Sequence, residues 1–151
     1  MSEIKSTFQD IAIEKVALKS FFLESTQKST KNFENFRDYG LDVKAFTGSF
    51  RTILYEIANE YYNKYATTPT INVVNVVLKK KFRKDKDSLE RSKILFKQVI
   101  DVDFDDESKN FYYNEIKQLF LYRQLHFLHN EGLTYLSHVD NFGKNDFPPE
   151  E

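Results

Sequence analysis

Residues 63–84, NKYATTPTINVVNVVLKKKFRK, set four valines and an isoleucine behind a Thr-Thr-Pro break and close on a run of lysines. β-Branched residues of this kind are enriched in strands, so the stretch reads first as one. A strand would place Ile71, Val73, Asn75 and Val77 on one face and Asn72, Val74, Val76 and Leu78 on the other. Each face would then carry an amide among apolar side chains. A helix instead aligns Asn72, Asn75 and Lys79 on one polar stripe and turns Ile71, Val74, Val77 and Leu78 elsewhere. Thr70, behind Pro69, is a fitting N-cap, and Lys79, Lys80 and Lys81 fall in the last turn, where cations suit the helix dipole. The helix accounts for more of the pattern despite the modest helix propensity of valine.

With that segment helical, the rest of the chain reads as helices too. A first one is expected over 10–24, where Ile13, Val16, Ala17 and Phe21 recur at helical spacing behind Asp10 as N-cap. A second covers about 29–39, with Phe33 and Phe36 inward and Gly40 as its stop. The third, within 48–65, shows the amphipathic pattern most fully in Phe50, Ile53, Leu54, Ile57, Ala58 and Tyr61. A fifth follows Asp87 or Ser88 and buries Leu89, Phe96, Val99 and Ile100. The expected fold is all-α, a compact bundle of about six helices.

Composition agrees with such a bundle. The 151 residues suit one domain, four glycines and three prolines leave few tight turns, and fifteen Phe and nine Tyr supply the core. No window is apolar for about 18 residues, and MSEIKSTFQD lacks the order of a signal peptide, so a soluble cytoplasmic protein with no membrane partner is expected. The absence of cysteine excludes disulfides, zinc-thiolate sites and thiol catalysis. A formal charge of −1 gives no global attraction to nucleic acid.

The last helix, over about 107–138, has two apolar faces. Tyr112, Ile116, Leu119, Phe120 and Phe127 cluster on one side. Leu121, Leu125, Leu128, Gly132, Tyr135 and Val139 step by alternating fours and threes along nearly the opposite side, which is coiled-coil spacing. The first face is expected to dock on the core and the second to offer a seam to another helix. The remaining residues, 141–151, contain Gly143, Pro148 and Pro149 and read as a linker or hairpin turn after a domain over 1–140. The seam's partner is therefore sought in another chain or a further segment.

Few constellations carry chemistry. Lys79, Lys80, Lys81, Arg83 and Lys84 form the one basic patch, weak candidates for nucleic-acid contact because Asp85, Asp87 and Glu90 follow at once. The acidic run DVDFDDESKNFYY fails as a calcium loop, since its sixth position is Asp106 in place of glycine and its twelfth is Tyr112. Those acids read better as the cap of the last helix. His126 and His129 lie at helical spacing without a third histidine or a carboxylate–histidine pattern, so no metal site is assigned. Glycines at 40, 48, 132 and 143 exclude a phosphate-binding loop and a dinucleotide fingerprint. No catalytic residue and no cofactor are assigned.

From Asp42 to Lys80 the order DVKAFTGSFRTILYEIANEYYNKYATTPTINVVNVVLKK resembles the N-terminal domain of DnaB-type replicative helicases, most closely those of T4-like bacteriophages. The matching features are Phe46 before a short turn, the Phe50 and Ile53-Leu54 helix, Asn59-Glu60-Tyr61, then Pro69 followed by Ile71-Asn72 and Leu78. IEKVALKSFFLES looks like that family's first helix, and DDESKNFYYNEIKQLFLYRQ and the late Pro148-Pro149-Glu150 fall in the expected order.

The resemblance implies a compact helical bundle followed by a helical hairpin, of which the long last helix would be the first arm. Such domains form a collar above a hexameric ring of RecA-like motors and help recruit the primase and, in some systems, the loader. Expected partners are thus other helicase subunits in a homo-oligomer, a primase and a loader, in the host cytoplasm if the protein is viral; no direct DNA contact is expected. The motor and its phosphate loop are missing, so ATP and magnesium belong only to the absent motor domain of a parent ATP-dependent DNA helicase. The chain would end before the second hairpin helix, leaving Leu121, Leu125, Leu128, Tyr135 and Val139 as candidate hairpin or inter-subunit surface. Two other readings stand beside this one: a free-standing helical adaptor binding a helicase or primase, and a single-stranded DNA-binding module using the lysine run and nearby aromatics.

Overall fold

The computed structural model describes the backbone of residues 10–145 and the side chains of residues 10–133. Six α-helices make up the described chain: α1 (Ile11–Ser20), α2 (Thr26–Asp38), α3 (Ser49–Tyr65), α4 (Ile71–Lys81), α5 (Lys86–Ile100) and α6 (Lys109–Asn145). Short 3₁₀ turns at Val43–Ala45 and Asp106–Ser108 precede α3 and α6, and no strand occurs among the described residues. None of these helices is long and apolar enough to cross a membrane.

The valine-rich stretch is α4. The Thr70 hydroxyl accepts the Val73 N–H at 3.2 Å, Val74 and Leu78 are buried, and Asn72, Asn75 and Lys79 are exposed. Side-chain caps at Asp10, Ser25, Thr70 and Asp85 start four of the helices, each carboxylate or hydroxyl taking an otherwise unpaired first-turn N–H. These caps also move the predicted boundaries. Ser25 starts α2 earlier than expected, and Asp85 does the same for α5. α1 stops at Ser20 because Phe21 and Phe22 donate back to the carbonyls of Leu18 and Lys19, a turn that delivers both rings to the core. α6 runs through to Asn145, so the segment predicted as linker or turn is helical in its first five residues, 141–145; residues 146–151 lie outside the described ones.

An aromatic cluster forms the centre. Phe21 meets Phe33 and Phe36 edge-on at 5.2 and 5.1 Å, and Phe36 in turn meets Phe46 and Tyr113. Such edge contacts add about 0.5–1.5 kcal/mol per pair to the burial itself. Tyr113, Ile116 and Phe120 are the residues through which α6 enters this core. Tyr113, and not the predicted Tyr112, is fully buried, its hydroxyl 2.6 Å from Ser20 Oγ. Buried side-chain nitrogen and oxygen atoms are all paired among the described residues. Asn32, for example, donates to the Ser20 carbonyl at 3.1 Å and accepts from Lys109 at 3.0 Å.

Candidate interaction site

α6 leaves the body of the protein at Arg123. That side chain donates to the carbonyls of Ala45 at 3.0 Å and Lys44 at 3.3 Å, fastening the helix to the Val43–Ala45 turn. Burial lowers the Arg123 pKa from its ordinary value and the charge of Glu14 opposes the shift; the guanidinium stays protonated at neutral pH. Glu14 reaches the same corner from α1, where it accepts from Arg51 and Thr47. The root of the stalk is therefore a polar, charge-fixed corner on α1, α3 and the 3₁₀ turn.

Beyond Arg123 the apolar side chains are uncovered. Leu125 and Leu128 are 62% and 63% exposed and Leu133 is also open to solvent, as is Leu121 just before Arg123. Phe127, predicted on the docking face with Ile116 and Phe120, is 62% exposed as well. That prediction fails because helical spacing continues past the point where the bundle stops: the core beneath Tyr113, Ile116 and Phe120 does not extend under Phe127. The described stalk is consequently apolar on both sides. Patches of exposed apolar surface mark interaction sites.

The seam residues Leu121, Leu125 and Leu128 thus lie together on the stalk, with Gly132 continuing their line; the side chains of Tyr135 and Val139 lie outside the described residues. A groove at the stalk's root is lined by Lys44, Phe120, Arg123, Gln124, Phe127 and Leu128. Arg123 and Lys44 escaped the sequence reading, since nothing local to either signals their meeting. His126 is hydrogen-bonded to Asn130 at 3.1 Å, one turn on. No group of three His, Cys, Asp or Glu able to hold a metal comes together among the described residues.

The basic run sits elsewhere. Lys79, Lys80 and Lys81 end α4, Arg83 and Lys84 occupy the turn into α5, and all are exposed. α4 packs on α5, whereas α6 packs chiefly on α1 and the Val43–Ala45 turn. Compared with known families, curated proteins and solved structures, the chain finds no match.

Proposed function

We propose that this chain is the non-catalytic N-terminal collar domain of a phage replicative DNA helicase, acting through protein contacts in ring assembly and in coupling to a primase and loader. The residue order from Asp42 to Lys80, with its likeness to DnaB-type domains, motivates the reading. The observation that carries it is the two-sided apolar stalk. A hairpin arm in a collar needs one covering from its own second helix and another from a neighbouring subunit, and the stalk offers exposed Leu125 on one side and exposed Phe127 nearly opposite it. A free-standing adaptor would need only one such face.

The test uses the intact gene product. Leu125→Asp with Leu128→Asp is expected to lower the hexamer fraction in sedimentation velocity and to weaken stimulation of the cognate primase, with the melting of the head domain unchanged. If self-association and primase stimulation both persist at the unsubstituted level, the assignment is wrong.

A further inference from the structure

α3 and α4 enclose a second open surface, of different character. The groove between them measures about 510 Å³, with Ile57, Val73, Val76 and Val77 along it and Tyr61 and Tyr65 at one end. The two tyrosine rings lie one helical turn apart with centroids separated by 4.5 Å and planes inclined by 46°. Tyr65 is 54% exposed, and the Lys64 ammonium lies 5.4 Å from its ring centre. Lys80 lines the groove, Lys81 its continuation toward Ile53, and Lys79 the flank beside Asn75 and Val76.

None of the three acids that follow the lysine run, Asp85, Asp87 and Glu90, lines the groove. Asp85 is spent on the cap of α5, accepting the Ser88 N–H at 3.1 Å and its hydroxyl at 2.6 Å, and Glu90 pairs with Lys93 at 3.7 Å. No ion pair within the described residues involves Lys64, Lys79, Lys80, Lys81, Arg83 or Lys84. Glu56 and Glu60 line the α3 side of the groove, so positive charge is concentrated along the α4 rim.

We propose that the α3–α4 groove binds single-stranded nucleic acid, its bases resting on Tyr61, Tyr65 and Val76 and its phosphates tracking Lys79, Lys80 and Lys81. Exposed aromatic rings accept any base by stacking, and adjacent lysines hold the backbone by displacing counterions. The carboxylates of Glu56 and Glu60 repel phosphate and set the strand's course on the α4 side. A protein helix without acidic side chains seated in the same groove would desolvate the Lys64 and Lys80 ammonium groups and supply no anion to pair them. Phosphate leaves them paired and hydrated. The site is independent of the stalk.

Fluorescence anisotropy with a labelled oligothymidine of about 20 nucleotides tests it. Binding is expected at about 50 mM salt and to weaken about tenfold by about 200 mM. Tyr65→Ala is expected to weaken it about tenfold through lost stacking, and Lys80→Gln to flatten the salt slope by about 0.7. Leu125→Asp, on the stalk, should leave binding unchanged, which separates this site from the proposed assembly surface. Absence of binding at low salt overturns the proposal, as does binding that neither Tyr65→Ala nor Lys80→Gln alters. Loss of self-association on Val76→Asp with oligonucleotide binding intact would assign the groove to a protein helix and overturn it equally.

Discussion

Glu14 on α1 and Arg51 on α3 form an ion pair at 2.9 Å in which the carboxylate is only 3% exposed. The same carboxylate accepts the Thr47 N–H at 2.8 Å and the Thr47 hydroxyl at 2.7 Å. One buried charge thus ties two helices to the turn between Phe46 and Gly48. Removing one partner of such a pair strands the other, so Glu14→Ala is expected to destabilise the fold by about 3 kcal/mol. Urea denaturation reads this; a loss below about 1 kcal/mol would mean the pair behaves as a surface one.

Tyr55 and Tyr113 make alkaline stability a second test. Burial pushes the Tyr55 pKa up to about 12, with the nearby Arg37 opposing, and raises that of Tyr113 further against the effect of its Ser20 hydrogen bond. Both stay protonated in the fold while the unfolded chain releases its tyrosine protons near pH ~10. The stabilisation is therefore complete below that pH and falls as pH rises through about 12. Tyrosinate absorbance of the folded protein should include a late component from Tyr55 and Tyr113, with unfolding setting in as they ionise.

The Tyr113 hydroxyl can be separated from its ring. Tyr113→Phe removes the 2.6 Å contact with Ser20 but leaves Ser20 donating to the Ala17 carbonyl, so a cost of about 1 kcal/mol is expected. Tyr113→Ala empties the site that joins α6 to Phe36 and should cost about 3–5 kcal/mol in the same melting experiment.

Gly132 sits within α6 with nothing within 4 Å of where a Cβ would stand. Gly132→Ala should stabilise the helix there by about 1 kcal/mol. Slower amide hydrogen exchange around residues 128–136 checks it, with exchange of α1–α5 unchanged.

Much of this architecture was legible in advance because it rests on local chemistry. The Thr70 cap and the Asn72-Asn75-Lys79 stripe identify α4 without reference to any neighbour, and Gly40, at φ 78°, closes α2 as its position suggested. What escaped depends on where the chain meets itself. Nothing local to Glu14 in the sequence signals burial, and only its meeting with Thr47 and Arg51 explains it. Phe127 shares the phase of Ile116 and Phe120, yet periodicity does not say where the supporting core stops. The shared line of Leu121, Leu125 and Leu128 follows from helical spacing, and all three are exposed. The Tyr61–Tyr65 pair needed α4 beside it before it became a groove.

α6 is one continuous helix of 37 residues, about 55 Å long, and contains no proline. Tyr113, Ile116 and Phe120 grip the head at one end, and Leu125, Phe127 and Leu128 stand free beyond Arg123. No joint separates the two. Whatever holds the stalk must therefore set the heading of the whole domain: the helix is a lever, and a small turn of its long arm swings the α3–α4 face through a larger arc.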